Sequence, residues 1–446
     1  MLIHRTMLAH AVSFISFLTF TLCTSFAAAA AGPADRTERA VVSHITKHEA
    51  QAVALLEQVV NVNSGTMNFA GIRQVGALFE PHFKALGFAT RWVDGAAFGR
   101  AGHLIAEHRP ARTAGGNPKI LLIAHLDTVF EPVSPFQKFE RLDANIARGP
   151  GTSDMKGGIV VALAALAALQ EAHALQSMDI TVVMHGDEED AGEPLEQARA
   201  ALIEAAQAAD IAIGLENAAD DPATAVTARR SSSSWKVNVR AKSAHSSQIF
   251  SDEVGAGAAY ELARILNGFY TEVRGDEFLT FNPGLLAGST QVDFEAEPLH
   301  AGVSGKNNII APVAVASGDL RAISVEQRDA AKALMRKIVA EHLPHTEAEI
   351  VFNDSYPPMS PTEGNKRLLS LYDQVSRDLG FGPVTAVNPR RAGAADVSFA
   401  AAHVDMAIDG LGLLGGDAHT PTEFADLRNF QRQAQRLAVL LLRLNR

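Results

Sequence analysis

The sequence predicts an α/β fold: a mixed, largely parallel sheet layered with helices and interrupted by an inserted, ferredoxin-like βαββαβ module. Three observations carry that expectation. The chain has 446 residues, more than one core usually organises, which suggests about two domains. In its first half, short apolar strands alternate with helices, the pattern of a parallel sheet covered on both faces. After Thr227 the strands become half-exposed and the order becomes that of a split βαβ unit.

The amino-terminal segment stands apart from both domains. His4 and Arg5 precede an apolar stretch from roughly Met7 to Phe26 and the small-residue run Ala27–Ala31. This layout predicts a secretory signal peptide over residues 1–31, cleaved near Ala29–Ala31, and hence a periplasmic or secreted protein with no stable membrane span. An uncleaved anchor is the alternative, because the stretch is close to spanning length. Cys23 is the only cysteine and falls inside this segment. The mature chain then has no disulfide, and any metal site must draw on His, Asp and Glu. The formal net charge of −11 argues against nucleic acid as a partner, since phosphate binding needs a basic face.

Residues 36–60 read as an amphipathic helix ending before Asn61, and 72–86 as another. Residues 119–124 (KILLIA) form an apolar strand, 157–172 an Ala-rich helix, and 180–184 (ITVVM) a second buried strand. A helix over 195–208 and a strand over 211–215 follow. In the inserted module, Trp235, Val237, Val239 and Ala241 alternate with Lys236, Asn238 and Arg240, so that strand exposes one face. A helix over 255–273, strands over 285–294 and 313–324, a helix over 327–342 and a strand over 348–352 complete it. Helices at 366–379, from about Ala395, and at 427–444 return the chain to α/β pattern. The expected boundaries are 36–227 and 346–446 for the halves of the first domain and 228–345 for the insert.

Acidic and histidine-bearing motifs recur where the first domain's strands end. His125 and Asp127 follow KILLIA. Asp154 precedes a helix in GTSDMKGG. Glu188 and Glu189 follow ITVVM, Glu216 ends IAIGL, and His419 lies in the glycine-rich GGDAHTP. In open α/β sheets ligands bind beyond the carboxyl ends of the strands, where such residues converge. Alone, each has a plainer reading: a structural histidine, a solvated acidic pair, a helix cap. Together they match two zinc ions, which need one His and one carboxylate each plus a shared carboxylate. His125, Asp154, Glu189, Glu216 and His419 supply that set, although other divalent ions fit it too. Asp127 is then free to orient His125, and Glu188 to take a proton from the attacking water.

HLDTV (125–129), GPGTSDMKGG (149–158), DEE (187–189) and GLE (214–216) resemble the metal motifs of the co-catalytic di-zinc exopeptidases. That family includes bacterial glutamate carboxypeptidase, aminoacylase and succinyl-diaminopimelate desuccinylase; the resemblance covers nearly the whole mature chain and is closest to the glutamate carboxypeptidase branch. It implies His125, Asp154 and Glu216 on one ion, Asp154, Glu189 and His419 on the other, and Glu188 as general base. It implies that the insert is a lid through which two chains dimerise. It further implies that His245, in SAHSS, steadies the oxyanion from the lid and that Asn308 binds substrate, with Asn307 a competing choice. Arg321, in GDLR, would grip the substrate carboxylate, unless it serves only to pair with Asp319. Gly393 and Asp396 match a loop near that carboxylate. Ala124, the run RRSSSS (229–234) and Ser246-Ser247 depart from the family pattern and bear on substrate preference.

The activity these residues imply is hydrolysis of a carboxy-terminal, glutamate-type residue from a small peptide or N-acyl amino acid with a free carboxylate, through a zinc-bridging hydroxide. An N-acyl-amino-acid deacylase or a dipeptidase would use the same centre. A non-catalytic binding protein on the same scaffold would have no chemical need for Glu188 beside five ligands.

Overall fold

The structure is a computed structural model that describes residues 35–110, 116–217, 221–296 and 299–446; the expected signal peptide lies outside them. Helix α1 (Arg36–Val60) begins where the Asp35 side chain accepts the Glu38 amide at 2.9 Å, a typical N-cap. Helix α2 (Phe69–Ala85) follows. The central sheet contains β1 (Ala89–Asp94), β2 (Gly102–His108), β3 (Lys119–His125), β4 (Asp179–His185), β5 (Ile211–Gly214) and the strand Met406–Ile408. Their spatial order is β1-β2-β4-β3-β5 and then Met406–Ile408.

The last four of these run parallel, while β2 is antiparallel to both β1 and β4. The sheet is therefore mixed and largely parallel, as expected. The β1–β2 edge was not anticipated. Only a short turn around Ala96–Phe98 joins these strands, and a connection that short permits antiparallel pairing alone. Helix α3 (Lys156–Glu171) is buried on almost every side beneath α1 and the carboxy-terminal helix Phe430–Leu444, which explains its alanine-rich, all-round apolar character.

The inserted domain is a four-stranded antiparallel sheet of β6 (Ser232–Ala241), β7 (Thr280–Ser289), β8 (Val313–Arg321) and β9 (Thr346–Tyr356), in the order β7-β8-β6-β9. Helices Ala258–Gly268 and Val325–Ala340 cover its inner face, where Trp235, Val237 and Val239 are buried. The chain passes between the domains at Arg229 and Met359. Their backbones hydrogen-bond to each other in both directions at 3.0 Å.

Several elements differ from expectation for identifiable reasons. The helix expected over 195–208 breaks at Arg199 into Leu195–Ala198 and Ala200–Gln207, because the Arg199 side chain is drawn inward to Asp187 and Asp396. The helix expected over 255–273 starts at Ala258 and ends in a π turn, Phe269–Val273. The strand expected over 285–294 is β7 followed by a separate hairpin, Gln291–Glu295 with His300–Ser304. The helix near Ala395 is one turn, Val397–Ala400. The insert does not end at 345: β9 pairs with β6 from Thr346 to Tyr356, so hydrogen bonding carries the lid sheet to Tyr356. Among the described residues, no helix is long and apolar enough to cross a membrane.

Candidate metal centre

β3, β4 and β5 lie side by side and parallel, so the residues that end them arrive at one edge of the sheet. His125 is the last residue of β3. Its Nδ1 lies 3.1 Å from the Asp127 carbonyl and 3.3 Å from the Asp127 carboxylate. That leaves Nε2 facing Asp154 Oδ1 at 3.3 Å and Glu216 Oε1 at 3.2 Å. Nε2 is buried without a hydrogen-bond partner. On the other side of Asp154, Oδ2 lies 3.1 Å from His419 Nε2, which is also 3.1 Å from Glu189 Oε2. Two groups of three donors, each with its ligand atoms within 4.8 Å, thus share Asp154. An unpartnered imidazole nitrogen facing carboxylates, with each oxygen of one carboxylate turned to a different group, is a donor arrangement that fits a pair of zinc-like ions.

Close backbone packing sets these positions. A Cβ on Gly158 would lie 2.2 Å from the Leu215 carbonyl, and one on Gly412 would lie 1.9 Å from it. Both glycines are required for the segment carrying Glu216 to seat between α3 and the loop after Met406–Ile408. His419 has φ of 64°, a left-handed conformation uncommon outside glycine. It lies within a tight turn in which the Thr420 amide donates to the Asp417 carbonyl at 3.1 Å.

Asp127 does more than orient His125. It is fully buried and accepts from Thr66 Oγ1 at 2.7 Å and from the Glu188 and Glu189 amides at 3.1 Å each. The Glu188 carbonyl in turn accepts the Tyr356 hydroxyl at 2.9 Å. Glu188 is therefore held at both of its peptide groups while its side chain borders the cleft.

Two supporting carboxylates, Glu423 and Asp409, stand in no motif and were missed, and a third, Asp187, stands in the DEE motif but was given no role. Glu423 accepts the amides of Gly151, Ser153 and Asp154 at 3.0–3.2 Å. Asp409 accepts the Glu216 amide at 3.3 Å and pairs with Arg229 at 2.8 Å. Asp187 pairs with Arg199 at 2.9 Å. Burial is a late product of folding that the local sequence around these residues does not signal.

The electrostatics show how crowded the carboxylates are. Burial pushes Glu188 well above the usual carboxylate range, with the charges of Asp396, Glu216 and Glu189 adding to it. Burial likewise lifts Glu189, Glu216 and Glu423 to about 7. Hydrogen bonds that His419 donates to Asp154 and Glu189 raise it to about 11. Burial opposes ionisation of Asp154, but His125 and His419 outweigh it and hold that carboxyl below its ordinary range. The centre thus concentrates negative charge in a low-dielectric place, which calls for compensating cations.

A cleft of about 280 Å³ opens onto Asp154, Glu188, Glu189, Glu216 and His419 on one side and Arg229, Arg391 and Gly393 on the other. Gly393 thus lines this cleft. Asp396 is not part of its lining and is buried against Arg199 and His185. The lid residues His245, Asn308 and Arg321 are not part of the cleft wall. His245 is exposed, with Nδ1 2.9 Å from Ser247 Oγ, and the Ser246 amide donates to the Asn308 carbonyl at 2.9 Å. These two lie together on the lid. Arg321 pairs with Asp319 at 3.1 Å.

Comparison with known proteins agrees with this architecture. Over 99% of its length the chain is 27% identical to carboxypeptidase G2 of Pseudomonas sp. (strain RS-16), covering 98% of that protein. Its fold is similar to aminopeptidase PepT of Bacillus cereus, with a TM-score of 0.68 and 17% identity over 89% of this chain and 99% of that one. It is also similar to the YXEP protein of Bacillus subtilis, described as a dinuclear metal binding peptidase, with a TM-score of 0.62 and 13% identity over 90% of this chain and 99% of that one. The family model for peptidase family M20/M25/M40 matches residues 121–443, the span from β3 through the carboxy-terminal helix, and the chain belongs to that peptidase family.

Proposed function

We propose that this protein is an exported di-zinc carboxypeptidase that releases a carboxy-terminal, glutamate-type residue from a small peptide or N-acyl amino acid. The observation that carries the reading is Asp154, whose two oxygens face His125 and His419 separately. His125, Asp154 and Glu216 would hold one ion, and Asp154, Glu189 and His419 the other. When bound, such ions polarise a scissile carbonyl and acidify the attacking water. Glu188, raised by burial and fixed at both peptide groups, is suited to accept the water's proton and deliver it to the leaving amine. Asp127 keeps the His125 ring oriented by holding its Nδ1 side.

On this reading Arg321 and Asn308 bind the free carboxylate, Gly393 borders its place, and His245 stabilises the oxyanion. His245 and Asn308 lie together on the lid and away from their own cleft, which supports action on the cleft of a second chain in a homodimer joined through the lid. The full-length likeness to carboxypeptidase G2 supports the carboxypeptidase reading over a dipeptidase or N-acyl deacylase.

The test is metal content by mass spectrometry on the purified mature protein, with hydrolysis of glutamate-terminated folate-type, dipeptide and N-acetyl substrates beside alanine- and leucine-terminated ones. About two zinc per chain and chelator-sensitive glutamate release are expected. Activity confined to other residues or acyl groups would move the substrate; no bound metal and no zinc-restored activity would remove the reading.

A further inference from the structure

Two consecutive arginine pairs, Arg229-Arg230 and Arg390-Arg391, meet at the joint between the domains. One member of each, Arg229 and Arg391, borders the cleft. Arg229 is committed there: it pairs with Asp409 at 2.8 Å and donates to the Gly393 carbonyl at 2.7 Å. The other members go to the lid. Arg230 Nη1 donates to Thr280 Oγ1 at 2.6 Å, and Arg390 donates to the Glu277 carbonyl through Nε at 3.1 Å. Thr280 stands directly opposite Arg321 in the β7–β8 ladder. Ser231, next to Arg230, is hydrogen-bonded to Ala322, next to Arg321, at 2.7 Å. Three guanidinium groups therefore collect around the start of β7, two from the lid side and one from the catalytic loop.

Their charges are not balanced. Asp319 is bound to Arg321 at 3.1 Å, and it is the carboxylate whose charge acts on Arg230. Arg390 meets Glu277 only through a backbone carbonyl. Around Arg230 the charges that act are those of Arg321, Arg390 and Asp319, so three guanidinium groups exceed one carboxylate by two. Arg230 Nε is buried with no acceptor, a cost that a bound anion would remove. Burial, together with the charges of Arg321 and Arg390, pushes Arg230 below the ordinary arginine range.

We propose that Arg230, Arg321 and Arg390 form a site for a doubly charged oxyanion, spanning the joint between the lid and the catalytic domain. Arg321 alone suffices for one carboxylate; Arg230 and Arg390 add charge for a second. The occupant is either a pair of carboxylates on the residue that a substrate releases or a free tetrahedral oxyanion. Because Arg390 belongs to one domain and Arg230 and Arg321 to the other, either occupant ties the two together. The substrate source rests on the carboxypeptidase reading; the anion site itself does not.

The probe is sulfate, titrated into the metal-loaded mature protein at constant ionic strength balanced with sodium chloride, and read by calorimetry and melting temperature. Saturable binding with a rise in Tm is expected, weakened at least about tenfold in Arg390→Gln and in Arg230→Gln, as loss of one charge-assisted contact implies. Arg390 is exposed, so its variant folds and keeps the test interpretable. Equal sulfate affinity in both variants, or an equal Tm rise with chloride alone, overturns the site. Sulfate that competes with substrates releasing aspartate or glutamate, but not with those releasing alanine or leucine, supports the substrate as the source. Sulfate that binds without competing supports a free ion. None of the binding readouts needs turnover, so a failed carboxypeptidase assay leaves the site separately testable.

Discussion

The catalytic domain and the lid differ in what they do with residues that are far apart in sequence. In the catalytic domain, His125, Asp154, Glu189, Glu216 and His419 converge within one chain as two groups of three that share Asp154, each with its ligand atoms within 4.8 Å of one another. In the lid, His245 and Asn308 come together but stay outside the cleft of their own chain. A sheet explains the first behaviour: parallel strands deliver their carboxyl ends to one edge whatever the loops between them do. A separate domain has no such constraint, and its residues reach a site only by moving or by meeting another copy. The electrostatics divide in the same way. Carboxyls in the catalytic centre are raised by burial, while lid carboxyls such as Glu261 and Asp354 are held low by basic partners that outweigh burial.

The largest expected effect tests the convergent half. Glu188→Gln should keep the metal and lower kcat by about 10²- to 10⁴-fold, measured by steady-state kinetics beside metal analysis. Near-normal turnover in a metal-replete variant would mean that another group takes the proton. Next comes the divergent half. His245→Ala should lose most activity. Mixing and re-equilibrating it with Glu188→Gln should recover about a quarter of wild-type sites if the lid histidine serves the partner's cleft in a two-fold dimer. No recovery despite demonstrated chain exchange would place His245 in its own chain's site after lid closure.

The smallest effect probes lid stability. Glu261 is fully buried and held by Arg264 at 2.7 Å and by the Leu343 amide at 3.0 Å. Burial works against its charge, but these partners win and keep its pKa below the ordinary glutamate value. Its stabilisation is therefore full above the usual glutamate range and is lost as pH falls through the lowered value. Glu261→Gln should cost about 1–2 kcal/mol at neutral pH, and the gap from wild type should close in acid. A gap that is constant with pH in denaturant titrations would mean that the carboxylate's charge plays no part.

How much of this the sequence disclosed follows from the same contrast. KILLIA and ITVVM, short and largely apolar, announced β3 and β4, and with them the places of His125 and Glu188–Glu189. GTSDMKGG announced a helix start and the close packing that its glycines permit. β2 (GHLIAEH) was not announced, because its buried His103 and His108 look polar in sequence; they are satisfied by the Ala198 and Met178 carbonyls at 2.9 Å each. Arg199 sat inside a helical pattern, and only its buried partners Asp187 and Asp396 explain the break. Glu423 and Asp409 stand in no motif, since their role is to accept backbone amides that only the folded loops bring to them. The extent of β9 was hidden by alternating charged and apolar residues that belong to an edge strand as readily as to a loop.

Tyr356 closes β9, and its hydroxyl rests on the carbonyl of Glu188, three residues from the crossing at Met359. Were the lid to rotate about the paired crossings at Arg229 and Met359, the axis would pass beside the proposed proton acceptor instead of far from it. Points near an axis travel least. Residues carried farther out on the lid would then travel a wider arc, while Glu188 stayed at the still centre of the motion.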